Sequence, residues 1–286
     1  MVVHLSDRNW FLLAVVCYGL GALQAVFLGR SGFRRDNHLS YAILLLGGVF
    51  HTVAMFKRGF SLDRCPINNL YEATAFIMWT LVATHAVVGW WSRLRFLGAF
   101  LAPLLFSVGV FALMPALDVQ AARPTFTGGW SSLHKALILL AFGAFGVAAV
   151  AGLMYLTQDR NLKMHKLRAA LSLLPPIQRL ELVITRLLAV GVVLLTLGLV
   201  VSGIYLKQTR DAVFTTDVLA WYSVIIWTLY LGILVARWRF AQRGRRLALG
   251  VICSFAFLML TFWGVYLLSD LHRATPVAAR TELPAR

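Results

Sequence analysis

Acidic residues are scarce in this chain: 286 residues hold 11 Asp and Glu against 27 Lys and Arg, and charged residues of both signs make up only 13%. So little charge excludes a water-soluble domain of ordinary composition, and 60% hydrophobic residues with a mean hydropathy of +0.77 point to a membrane protein. Cysteine is equally sparse. Cys17, Cys65 and Cys253 form no CxxC pair, and Cys17 and Cys253 lie inside apolar runs, which excludes a disulfide framework and a thiol redox motif. A Walker loop, an HExxH motif and a Ser/His/Asp grouping are all missing, as are the paired carboxylates within spans that proton-coupled transporters carry. No familiar hydrolytic site is left, and the chain is read as a non-enzyme. The opening "MVVHLSDRNW" has no basic n-region and no clear cleavage site behind it, so the first apolar run is expected to be a retained helix.

A hydrocarbon core about 30 Å thick takes roughly 20 helical residues. Eight runs have about that length: Trp10–Gly29, Ser40–Phe56, Ile67–Trp91, Leu94–Met114, Leu133–Thr157, Ile184–Leu206, Val218–Ala236 and Leu247–Ser269. None alternates with period 2 as a membrane barrel would, so the expected fold is an all-α polytopic bundle of about eight transmembrane helices, residues 1–286 forming one domain. No internal repeat is apparent, and no pair of spans is broken by Gly and Pro in corresponding halves, which disfavours a small-molecule transporter.

The net charge of +16 follows the loops. The first, third, fifth and seventh loops hold 16 Lys and Arg, and the second, fourth and sixth hold seven. By the positive-inside rule the odd loops face the cytoplasm and both termini the outer, periplasmic side of the cell inner membrane. The excess of positive charge therefore records topology and contact with anionic lipid, and calls for no nucleic acid. The segment 157–186 mixes Lys and Arg with Leu167, Leu171 and Leu174 ahead of Pro175 and Pro176, a pattern suited to a basic helix lying on the cytoplasmic leaflet. Small residues four apart, Ala148 with Gly152 and Gly198 with Ser202, let helix backbones approach.

Chemistry falls to histidine. His51 lies in the second span near its outer end, His134 opens the fifth, and His272 follows the eighth, so three distant parts of the sequence place an imidazole at similar outward depth. Such residues are often merely interfacial. Neutral imidazole is also an axial ligand for haem iron, and two helices can supply a pair with no local motif. Haem propionates favour nearby cations: Lys135 and Arg273 adjoin His134 and His272, and Lys57, Arg58, Arg64 and Arg123 lie on the same side. His4, His38, His85 and His165 receive no role. A last oddity is Glu72, in the opening turns of the third span just after Pro66. There the helix dipole stabilises an acid by roughly 0.3–1 kcal/mol, and Asn68 and Asn69 can cap free N–H groups. Pairing of Glu72 with Arg64 or Lys135 is the alternative.

Several stretches resemble one family in order and spacing. "CPINNLYEATAFIMW" is similar to the entry helix of the cytochrome c assembly family, the CcsA/HemX-like integral membrane proteins. "WSSLHKALILLAFGAFGVAAVAGLMYLTQDRNLK" resembles its histidine-led helix, "LLPPIQRLELVITRLLAVGVVLLTLGLVVSGIYL" the next connection and span, and "GRRLALGVICSFAFLMLTFWGVYLLSDLH" the last span. The likeness covers 51–272. It implies a haem-handling protein with haem as cofactor, and His134 and His272 fall where two outward histidines of the CcsA branch would. It further implies delivery of haem to apocytochrome c together with another membrane protein of cytochrome c assembly. The sequence departs in "KQTRDAVFTTDVLAWYSVIIW", which keeps Trp221 and Trp227 but lacks the tryptophan-rich WxWDxxE-type loop. A shortened, HemX-like member is the closer match, and the alternative it implies is regulation or scaffolding in haem biosynthesis without direct haem ligation.

Overall fold

The structure, a computed structural model, describes residues 6–30, 38–62, 69–90, 94–118, 129–163, 176–210, 218–240 and 243–268. They form eight helices: α1 (Asp7–Arg30), α2 (His38–Leu62), α3 (Leu70–Val88), α4 (Leu97–Ala112), α5 (Gly129–Lys163), α6 (Ile177–Arg210), α7 (Val218–Arg239) and α8 (Arg245–Leu268). Among the described residues there is no strand. Seven helices are long and apolar enough to cross a membrane. α4 is shorter: its 16 residues, with Pro103 inside, reach about 24 Å. A 3-10 turn, Pro115–Leu117, carries the chain on to Asp118.

Several expected boundaries move, and α5 reaches Lys163, six residues past Thr157. α2 runs to Leu62, six residues past Phe56, because Arg58 is held inside the bundle. α6 begins at Ile177 rather than Ile184: Pro176, which lacks an N–H to satisfy, stands before the first turn, and its carbonyl accepts from Arg179 and Leu180. Half of the proposed surface helix therefore belongs to α5 and α6, and residues 164–175 lie outside the described part.

The eight helices fall into two sets of four with one contact scheme. In α1–α4 and again in α5–α8, the first helix packs on the second and fourth, and the third packs on the second and fourth. Specific contacts recur. The Trp79 indole donates to Thr52 Oγ1 at 2.9 Å and the Trp227 indole to Thr196 Oγ1 at 2.8 Å, joining second to third helix in each set. Each of these threonines donates its own proton to a carbonyl one turn back, Gly48 or Val192, both at 2.7 Å. Gly47 lies under the Tyr18 ring of α1, and Gly191 under the Phe145 ring of α5. Trp79-Thr80-Leu81 and Trp227-Thr228-Leu229 occupy the same position along α3 and α7, and Leu70 and Leu97 are as far from Val218 and Arg245 as Trp79 is from Trp227. The bundle is thus a four-helix unit used twice, where the sequence displays no repeat.

The sets join through α5, which lies against α3 and α4. Thr80 Oγ1, which donates to the Ile77 carbonyl of its own helix at 2.7 Å, also shares that proton with the Leu139 carbonyl across the joint at 3.2 Å, and Trp263 of α8 donates to Thr74 of α3 at 3.2 Å. Within the second set, Phe145 and Tyr230 stack at 3.6 Å. Gly244 turns the chain from α7 into α8 at φ +67°, a conformation that suits glycine, and its N–H donates to the Glu181 carboxylate.

Candidate functional site

At one end of the bundle, where α1, α3 and α5 begin, scarce charges converge. Arg58 of α2 donates from Nε to Glu72 at 3.0 Å and from Nη1 to Asp7 and Asp118 at 3.0 and 3.1 Å, while Nη2 also donates to Asp118. Its guanidinium lies 5.1 Å from the Tyr71 ring centre. Arg8 approaches Asp118 at 3.5 Å and donates to the Leu113 carbonyl. Three of the chain's 11 acids thus share one arginine. Glu72 is 1% exposed and Arg58 9%, so neither charge is satisfied by water. A lone buried carboxylate would cost several kcal/mol, and the five N–H donors of an arginine offset that by meeting three acids at once. Glu72 is thus paired with Arg58, a partner that the sequence reading did not single out, while Arg64 lies outside the described residues. Arg58, taken up by carboxylates, is also removed from the cations free to meet a propionate.

Asn69 ties α3 into this end. Its Oδ1 accepts the Glu72 N–H at 2.7 Å as the helix N-cap, and its Nδ2 donates to Asp118 at 3.0 Å. Asn69→Ala removes both bonds. We expect it to lower stability by about 2 kcal/mol in a thermal or denaturant melt of the detergent-solubilised protein, one for the cap and one for the bond to Asp118. Asn69→Asp keeps the cap but sets a second carboxylate against Asp118, and should melt below the wild type too. Pro66 lies outside the described residues, as do Arg64, Arg123, His272 and Arg273.

His51 sits one layer deeper, fully buried. Its Nδ1 meets the Tyr18 hydroxyl at 3.1 Å, the Phe11 ring packs edge-on at 5.0 Å, and Nε2 makes no hydrogen bond among the described residues. These aromatic walls belong to α1. His51 is therefore walled by α1 of the first set of helices, while His134 stands on α5 of the second.

His134 has a different setting. It is half-buried in the second turn of α5, and its Nδ1 lies 2.8 Å from the Gly198 carbonyl of α6. A carbonyl can only accept, so Nδ1 carries the proton and Nε2 holds the lone pair. This backbone-anchored tautomer is the one in which imidazole presents Nε2 to a metal. Gly198 allows the approach, since a Cβ there would press on Ile138 and Leu137 of α5. Lys135 follows, half-buried. Among the described residues no group of three or more His, Cys, Asp or Glu side chains is arranged to hold a bare metal ion. What the site offers is a single oriented imidazole near a cation at a membrane-helix end.

The bundle defines the class: a polytopic membrane protein, with a backbone-anchored histidine near the start of its fifth span. The particular family follows from sequence comparison. Residues 67–272 match the model of the cytochrome C assembly protein family, and the chain belongs to that family. It is 25% identical to the cytochrome c biogenesis protein CcsA of Synechococcus sp. (strain JA-2-3B'a(2-13)), over 72% of this chain and 76% of that one. It is 25% identical to protein HemX of Brevibacillus brevis, over 81% and 85% of the two chains. With CcsA of Guillardia theta it shares 22% identity over 91% of each chain.

Proposed function

We propose that this protein handles haem for cytochrome c assembly in the cell inner membrane, with the Arg58 end of the bundle facing outward. His134 and His272 would hold the haem iron, and Lys135 and Arg273 would meet its propionates. The observation that carries this reading is the His134 tautomer: Nδ1–H is spent on the Gly198 carbonyl, which orients the ring and leaves Nε2 as a donor of an electron pair. Bound haem would supply an iron centre that accepts imidazole nitrogen and carboxylates that attract cations. The chain's own part is to hold one imidazole on rigid α5 and α6, and to keep a cation within reach in a region of low dielectric, where charge pairing is strong. Apocytochrome c and a second assembly membrane protein are the partners that fit this role, with the bundle seated among membrane lipids.

The test is the visible spectrum of the protein purified in detergent from haem-replete membranes. The wild type should show a Soret band, and His134→Ala and His272→Ala should each reduce it at least several-fold. A wild type without the band would favour the regulatory or scaffolding role that goes with the HemX likeness. A band untouched by either substitution would end the assignment of these two ligands.

A further inference from the structure

The repeated unit exposes an interface filled in one copy and open in the other. In the first set, α5 lies against α3 and α4. Thr80 of α3 faces Gly143 and donates to the Leu139 carbonyl, and Leu81 faces Gly146, so α5 runs parallel to α3 with two glycines at the joint. The counterparts of Thr80 and Leu81 are Thr228 and Leu229 of α7. These line a groove of about 370 Å³ with Gly232, Ala236, Leu247 and Gly250, between α7 and α8, the counterparts of α3 and α4. Thr80 is buried, and its hydroxyl, bonded to the Ile77 carbonyl of its own helix at 2.7 Å, also reaches the Leu139 carbonyl across the joint; Thr228 is exposed and, among the described residues, donates within its own helix to Val224 at 2.9 Å. A Cβ at Gly232 or Gly250 would meet nothing within 4 Å among the described residues, although most mid-span glycines here press against a neighbour. Burial follows the same division, 61% of the α3 span against 28% of the α7 span.

We propose that the α7–α8 groove receives a membrane-spanning helix of another protein, parallel to α7 and presenting small residues spaced as Gly143 and Gly146 are. Lipid gives helices no hydrophobic incentive to associate, so close backbone approach through small residues supplies the attraction, as it already does between α5 and α3. A second copy of this chain is a poorer occupant. Its counterpart of α5 is α1, where alignment of Tyr18 with Phe145 places Val16 at the position of Gly143. Gly19, at the position of Gly146, is already covered by Phe106. Such a helix would bring a β-branched side chain onto Thr228. A heterologous contact of this kind extends the order of the two sets by one further helix.

The experiment uses the full chain in lipid nanodiscs with a photo-crosslinking residue at Thr228, and a labelled transmembrane peptide with the α5 sequence, residues 132–160, as probe. The peptide should cross-link from Thr228 and not from Leu20, an equally lipid-facing position on α1. The cross-link should be lost with a peptide carrying Gly143→Leu and Gly146→Leu, and lost again in the protein bearing Gly232→Leu and Gly250→Leu. Those two positions face open space, so the variants should fold. Yield from Thr228 no higher than from Leu20, or unchanged by the glycine replacements, would make the groove a seat for lipid chains and overturn the proposal. Copies of the protein cross-linked to one another through Thr228 would overturn it in favour of self-association. No readout involves haem, so the outcome is independent of the proposed function.

Discussion

Arg58→Met is expected to cost about 3–5 kcal/mol, enough to abolish most of the folded protein, because it takes from the buried Glu72 and Asp118 carboxylates the guanidinium that both share. Thermal melting of the solubilised protein, or its yield in membranes, reads this directly. The same substitution made together with Glu72→Gln and Asp118→Asn should recover much of the loss, since removing all the buried charges also removes their desolvation cost. Arg58→Lys should fall between, because an ammonium cannot reproduce the fork that spans Asp7, Glu72 and Asp118 at once. If Arg58→Met melts with the wild type, the network contributes little and helices α1 to α4 are held by apolar packing alone.

Gly143→Ala is the second large effect. A methyl group there would lie 2.6 Å from Thr80 Cβ and 2.9 Å from the Thr80 carbonyl carbon, and backbone cannot rotate out of the way as a side-chain tip can. Overpacking of this sort costs about 1–3 kcal/mol, and here it also prises apart the joint between the two four-helix sets and lengthens the bond from Thr80 to Leu139. Gly143→Leu should prevent assembly of the bundle. Gly232→Ala is the matched control: with open space before it, the substitution should be neutral, or stabilising by up to about 1 kcal/mol through helix propensity. Equal melting temperatures for Gly143→Ala and Gly232→Ala would show that the joint tolerates separation.

Hydropathy alone makes the spans legible, because a membrane imposes one length on every helix, and all eight runs correspond to helices. Helix ends are less legible. Nothing in the local sequence says that Arg58 is buried, so α2 reads as ending at Phe56. The Asn69 cap can be anticipated from the residue type next to an apolar run, but the pairing of Glu72 with Arg58 cannot, because it depends on the antiparallel packing of α2 on α3. Asp7 and Asp118 escape notice for the same reason, each lying at an element end with no motif. The duplication is hidden because, beyond Trp-Thr-Leu and isolated matches such as Thr52 with Thr196 and Gly47 with Gly191, most corresponding positions share little more than size and apolarity. Tyr18 on Gly47 and Phe145 on Gly191 are the same contact made by different residues. For His134 the sequence supplies the residue and its depth; the proton position depends on the Gly198 carbonyl, 64 residues away.

The central claim, that His134 Nε2 is an axial ligand and not merely an interfacial side chain, is tested most directly by chemical rescue. His134→Gly should purify as folded protein with little Soret absorption, and added imidazole should restore the band, with the spectrum of a histidine-ligated haem. An unchanged band in His134→Gly, or a lost band that imidazole fails to restore in protein that melts like the wild type, would contradict ligation by His134.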